Sequence, residues 1–155
     1  MFTSILAGIA IIVSVRMYRS EKWTKGKAVV FPFFILYICL VMGITIFNRL
    51  PYQDARYNFE VFWSYREAMA GSRKLMREII LNYCMLVPLG AMAPLYIRKR
   101  WVIAGGFLFS VMIELVQILT RRGLFEFDDI IGNTLGVIFG VIIYTGIEMI
   151  RRSLQ

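Results

Sequence analysis

Ala28–Phe47, Ile79–Ile97, Trp101–Leu119 and Ile130–Ile150 are nearly unbroken apolar runs. Each is about the 20 residues a helix needs to cross the hydrocarbon core of a bilayer. With 59% of its 155 residues hydrophobic, the chain lacks the polar surface of a soluble domain of this size. A fifth run, Phe2–Val15, is shorter; it lies tilted at the interface or crosses with Arg16 and Arg19 snorkelling outward. The expected fold is an all-α integral membrane protein forming a single domain over 1–155. It is a bundle of about five transmembrane helices spanning roughly residues 2–17, 28–47, 79–97, 101–119 and 130–150, with an outer amphipathic and aromatic loop.

The positions of Lys and Arg give the orientation. Arg16, Arg19, Lys22, Lys25 and Lys27 share one loop with a single acid, Glu21. Arg98-Lys99-Arg100 is purely basic, and Arg151 and Arg152 follow the last run. If every run crosses, these stretches share one side, which the positive-inside rule makes cytoplasmic. The expectation is a multi-pass protein with its C-terminus inside and its N-terminus outside. The net charge of +8 is then a topology signal, and no basic segment with interleaved aromatics points to nucleic acid. Phe2–Val15 has no basic residue before it and no small-residue cleavage site after it, so it reads as a retained helix.

The loop 48–78 carries Tyr52, Tyr57, Phe59, Phe62, Trp63 and Tyr65, residues suited to the headgroup layer. Within it, Tyr65–Arg77 reads as a short surface helix leading into the third span. That span holds Asn82, Pro88, Gly90 and Pro94. Proline frees a backbone carbonyl and kinks the helix, either to line a cavity or as a packing device. Gly132, Gly136 and Gly140 form a smooth stripe on the fifth span. Its expected target is the fourth span, with self-association into a homo-oligomer as the second.

Polar side chains gather at one depth. At 1.5 Å per residue, Asn82 lies roughly 5 Å inside the third span, Glu114 roughly 8 Å inside the fourth and Asn133 roughly 5 Å inside the fifth. Ser110, Glu114 and Gln117 share a helical face by their spacing, and Asp129 stands one turn from Asn133. Asp128 adjoins this layer, and Arg121 and Arg122 sit above it, within reach of Glu114 or Asp129. A charge at a helix centre costs about 3 kcal/mol on insertion scales, so Glu114 must be paired, hydrated or protonated there. One reading is a clamp of interhelical hydrogen bonds worth about 0.6–2 kcal/mol each. The other is an outer-leaflet site of Asn82, Ser110, Glu114, Gln117, Arg122, Asp128, Asp129 and Asn133. With no histidine in the chain, neither a Ser-His nucleophile nor an imidazole metal site is available. Cys39 and Cys84 offer no ligand spacing, and no resident metal or cofactor is expected. Carboxylate acid/base chemistry, an arginine clamp on an anionic head group, divalent cation binding by clustered carboxylates and recognition without turnover all stay open.

The same residues carry a family pattern: Arg77-Glu78, Asn82 and Pro88-Leu89-Gly90, then Ser110, Ile113-Glu114 and Gln117. Arg122-Gly123, Phe125, Asp128-Asp129, Asn133-Thr134-Leu135-Gly136 and Gly140 follow. Asn58 and Phe62 match a short loop motif, with Val61 where proline is usual. From about Asn48 to Gly140 the chain resembles the VanZ-like family of small bacterial membrane proteins, whose namesake is associated with resistance to the glycopeptide teicoplanin. The resemblance implies a cell-envelope role in a bacterial plasma membrane. Its expected ligand is a lipid-linked wall precursor or a lipoglycopeptide antibiotic, Arg122 and the carboxylates holding the head while the kinked third span and the glycine face accommodate the chain. The rivals are a membrane enzyme on a lipid or wall intermediate, with Glu114 or Asp129 as acid/base, and a small transporter. The transporter is disfavoured because the inner half of the membrane has no polar path.

Overall fold

The computed structural model describes residues 2–47, 50–54 and 56–155; Asn48, where the family pattern begins, lies outside them. The described chain is built from helices. α1 (Phe2–Arg19) turns back through a short loop into α2 (Lys25–Met42). Thr24 opens α2 by accepting a hydrogen bond from the Lys27 amide, satisfying one of the donors every helix start leaves free. α2 then widens into a π turn over Gly43–Phe47. α3 (Trp63–Met69) is short, and Gly71 (φ 111) makes the left-handed turn into α4 (Arg73–Met92). α5 (Lys99–Thr120) and α6 (Phe127–Ser153) complete the bundle. Between them lies β2 (Leu124–Glu126), paired in parallel with β1 (Arg56–Asn58), Tyr57 opposite Phe125 and Asn58 opposite Glu126.

Among the described residues, four stretches are long and apolar enough to cross a membrane: Lys25–Phe47, Arg73–Leu95, Lys99–Thr120 and Phe127–Ser153. The shorter α1 packs along α2. The expected surface helix over Tyr65–Arg77 is corrected: it ends at Met69, and residues 73–77 already belong to α4. Gly71 breaks the helix, and Ser72 caps the next by accepting from the Leu75 amide. Hydropathy misplaced that start because the first turn of α4 is basic.

The glycine stripe also packs differently from expectation, against α4 rather than α5. A Cβ on Gly136 would collide with the Tyr83 carbonyl, and one on Gly140 with the Val87 carbonyl and, at 2.7 Å, the Ala91 nitrogen. Gly90 is pressed in the same way against the Val137 carbonyl. Close backbone approach is what small residues permit between membrane helices, and here both partners supply them. Gly132 is looser, its nearest neighbour being the Tyr83 ring at 3.7 Å. The filled seam leaves no glycine face for a ligand's chain. Pro88 sits within α4, and in the turn before it the Tyr37 hydroxyl donates to the Met85 carbonyl at 3.0 Å. Leu86, Ile113, Val41 and Val137 form the buried centre of the bundle.

The three basic stretches meet at one end. The Tyr96 hydroxyl donates to the Lys27 carbonyl (2.7 Å), Trp23 packs on Phe31 and Tyr96, and Glu148 pairs with both Lys99 (3.1 Å) and Arg152 (2.7 Å). The opposite end holds the β pair, α3 and an aromatic cluster of Tyr57, Phe59, Phe125 and Phe127.

Candidate functional site

The eight polar residues expected to share one layer divide into two sets. Ser110, Glu114, Gln117, Asp128 and Asn133 are buried, none more than 3% exposed. Each ties one element to another. The Asn133 amide donates to the Ser110 hydroxyl at 3.0 Å, joining α6 to α5. The Gln117 amide donates to the Thr45 carbonyl at 3.2 Å, joining α5 to the π turn. The Glu114 carboxylate accepts from the Glu126 amide at 3.1 Å, fixing the last residue before α6. Asp128 accepts from the Phe62 amide (2.6 Å), the Ser64 amide (3.0 Å) and the Ser64 hydroxyl (2.6 Å). A carboxylate there satisfies free amides of the α3 start and complements its dipole, so Asp128 acts as a helix cap supplied by another helix. Gly123 packs closely on the Gln117 tie, and a Cβ there would lie 2.5 Å from the Gln117 side-chain oxygen and push that side chain aside.

Asn82, Arg122 and Asp129 behave differently. They line a cleft of about 600 Å³ at the β-paired end, together with Lys74, Glu78 and Glu126. Its remaining wall is Leu50, Pro51, Tyr52 and Leu124. The volume falls within the usual range for a small-molecule site. Asn82 donates to Asp129 at 2.6 Å, bridging α4 and α6 across the cleft floor. Lys74 stands 3.9 Å from Glu78. Arg122 donates to the Phe47 carbonyl at 3.3 Å and to the Ile46 carbonyl at 3.5 Å. The π turn therefore presents carbonyls that α5 and its following loop use twice, through Gln117 and Arg122. Arg121, in left-handed backbone at φ 55, reaches the Gln53 carbonyl instead.

Glu126 is the cleft residue that sequence reasoning passed over, because it stood in a loop outside every apolar run. Its carboxyl is pushed up to about 7, by burial first and then by the negative charge of Asp129, with smaller contributions from Glu78 and Asp128. The Trp63 indole N–H pulls the other way without forming a hydrogen bond of ordinary geometry. Lys74, Thr45 and Ser64 were also missed; the first looked like a surface charge, and the others meet polar side chains distant in sequence, Thr45 through its carbonyl and Ser64 through its amide and hydroxyl, which no spacing rule reveals. Asn58, from the loop motif, accepts from the Glu60 amide at 2.9 Å and so shapes the turn after β1. Among the described residues, no three acids or thiols converge closely enough to hold a metal ion.

A second cavity, of about 200 Å³, lies between α2, α4, α5 and α6 and reaches Ile97 and Trp101 near the basic end. Phe34, Leu86, Leu89, Trp101 and Phe109 line it, and it offers nothing for a polar group.

No curated protein and no solved structure matches the chain. The family model for VanZ/LLP1 matches residues 34–150, from the middle of α2 through most of α6. The match contains both the buried ties and the cleft, and it covers most of the chain. The chain belongs to the VanZ/LLP1 family.

Proposed function

We propose that this cell-envelope protein binds, in its cleft, the polar head of a lipid-linked wall precursor or of a lipoglycopeptide antibiotic such as teicoplanin. One observation carries the reading: a cleft of about 600 Å³ in which Arg122 and Lys74 face Glu78, Glu126, Asp129 and Asn82. Arginine and lysine hold carboxylate or phosphate groups, whereas the acids and the amide accept from hydroxyls and amines. A head group of sugars, peptide and phosphate presents both kinds of partner. Because the α4–α6 seam is closed, the ligand's acyl chain stays in the bilayer. In this reading the protein sits in a bacterial plasma membrane with its basic end cytoplasmic, and the cleft opens outward.

The test is tolerance of expressing cells to matched glycopeptides with and without an acyl tail. Higher tolerance to the acylated compound is expected, and D129N or R122Q should remove it without lowering protein level. Equal tolerance to both compounds rejects the lipophilic-ligand reading.

A second reading, an enzyme acting on a lipid or wall intermediate, is favoured by one observation. The Glu126 carboxyl is raised to about 7, by burial first and then by Asp129, which lines the same cleft. A raised carboxyl beside a second carboxylate suits general acid/base work. Glu126 and Asp129 then hold the roles, and Glu114 positions Glu126 through its backbone. The same D129N cells provide the discriminating measurement: an altered lipid extract supports turnover, and an unchanged extract supports binding alone.

A further inference from the structure

Arg73 and Arg77 occupy the first two turns of α4, four residues apart on one face. Two features of this placement are unfavourable. Like charges at this spacing repel, and cations at a helix start oppose its dipole; the first turn of α4 contains no acid. Lys74, on the neighbouring stripe, has Glu78 as a partner. The side chains of Arg73 and Arg77 take part in none of the hydrogen bonds or ion pairs found among the described residues. They also stand at the end of the bundle opposite the three basic stretches, so the topology signal does not account for them.

Both arginines line a groove of about 450 Å³ between α3 and α4, separate from the cleft. Buried Ala68 and the more exposed Met76 line it too, and it runs out along Ile80 and Leu81, which are each 53% exposed on the first turns of the membrane span. A cationic mouth leading into an apolar trough at a membrane boundary is complementary to one kind of molecule. The groove beside Arg16 and Arg19 differs: its cations end α1, where a helix dipole favours them.

We propose that the α3–α4 groove binds an anionic phospholipid, its phosphate between Arg73 and Arg77 and an acyl chain along Ile80 and Leu81. Bound phosphate removes the repulsion between the two guanidinium groups and engages their planar donors. This site is independent of the cleft and of what the cleft binds.

The experiment is native mass spectrometry of the detergent-solubilised protein titrated with dioleoyl phosphatidylglycerol. R73Q/R77Q should weaken binding by roughly tenfold or more, as loss of charge-assisted hydrogen bonds implies, and inorganic phosphate should not displace the lipid. M76W, which fills the trough without altering charge, should weaken it as well and covers the case in which the glutamine pair does not fold. R98Q/R151Q makes the same charge change at the opposite end. An equal loss in R98Q/R151Q overturns the proposal, because surface charge alone would then explain the binding. Wild-type binding by R73Q/R77Q or by M76W overturns it, as does displacement by free phosphate.

Discussion

Glu126 shows how one residue can be both held and tuned. Its amide is fixed by buried Glu114 and its carboxyl is lifted to about 7 from the usual 4.5. An acid raised in the folded state binds more protons there than in the unfolded chain, so stability falls as pH rises through the interval between those values. The cost is complete above about pH 7 and absent below about pH 4.5. The thermal midpoint in detergent should therefore decline between pH 5 and pH 8, and E126Q should flatten that decline. A slope unchanged by E126Q would assign the dependence to other groups. Asp128 illustrates the opposite outcome for an acid in the same stretch of sequence. Three hydrogen bonds from Phe62 and Ser64 use its two oxygens, so it shapes α3 and leaves the cleft to Asp129.

Among the elements, the α4–α6 seam sets the architecture. At Gly136 and Gly140 an added Cβ meets backbone atoms, which cannot rotate away. G140V should therefore destabilise the protein by about 3 kcal/mol, the upper part of the range for overpacking, whereas G132A should be nearly neutral because its Cβ meets only the Tyr83 ring and the Asn82 Cβ. Thermal unfolding of the two variants in detergent separates them. The stripe itself was legible in the sequence as small residues at four-residue spacing. Its partner was not, because spacing reveals a face and says nothing about which neighbour covers it. Nor does it reveal that Gly90 and Val137 close the other half of the seam. The four long spans were legible for a stronger reason: a membrane helix must be continuously apolar over a fixed length. The start of α4 escaped because its first turn is basic, and the β pair escaped because three-residue strands carry no periodicity. The polar layer was read from positions along the helix axes alone. Its division into buried ties and cleft walls depends on rotation about those axes and on loops whose courses depth arithmetic does not describe.

For the whole molecule, the two ends are chemically distinct. One gathers the three basic stretches around Tyr96 and Glu148, and the other holds the β pair, the aromatic cluster and the cleft. In a background lacking Cys39 and Cys84, single cysteines at Lys22, Arg98 and Ser153 should be labelled from one side of the membrane. A cysteine at Asp54 should be labelled from the other. Split accessibility among the first three would contradict the bundle's arrangement, and labelling of all three from outside intact cells would invert the proposed orientation.

The glycine–carbonyl contacts also decide which parts of the cleft can move. Asn82 and Asp129 stand on two helices locked backbone to backbone, so they form a stationary jaw. The opposing jaw is Leu50, Pro51 and Tyr52, whose Tyr52 amide is anchored to the Arg121 carbonyl at 2.7 Å. Widening to admit a bulky head group then falls to this second jaw, which is tied by hydrogen bonds, to Arg121 through the Tyr52 amide and the Gln53 carbonyl, rather than by a closed backbone seam.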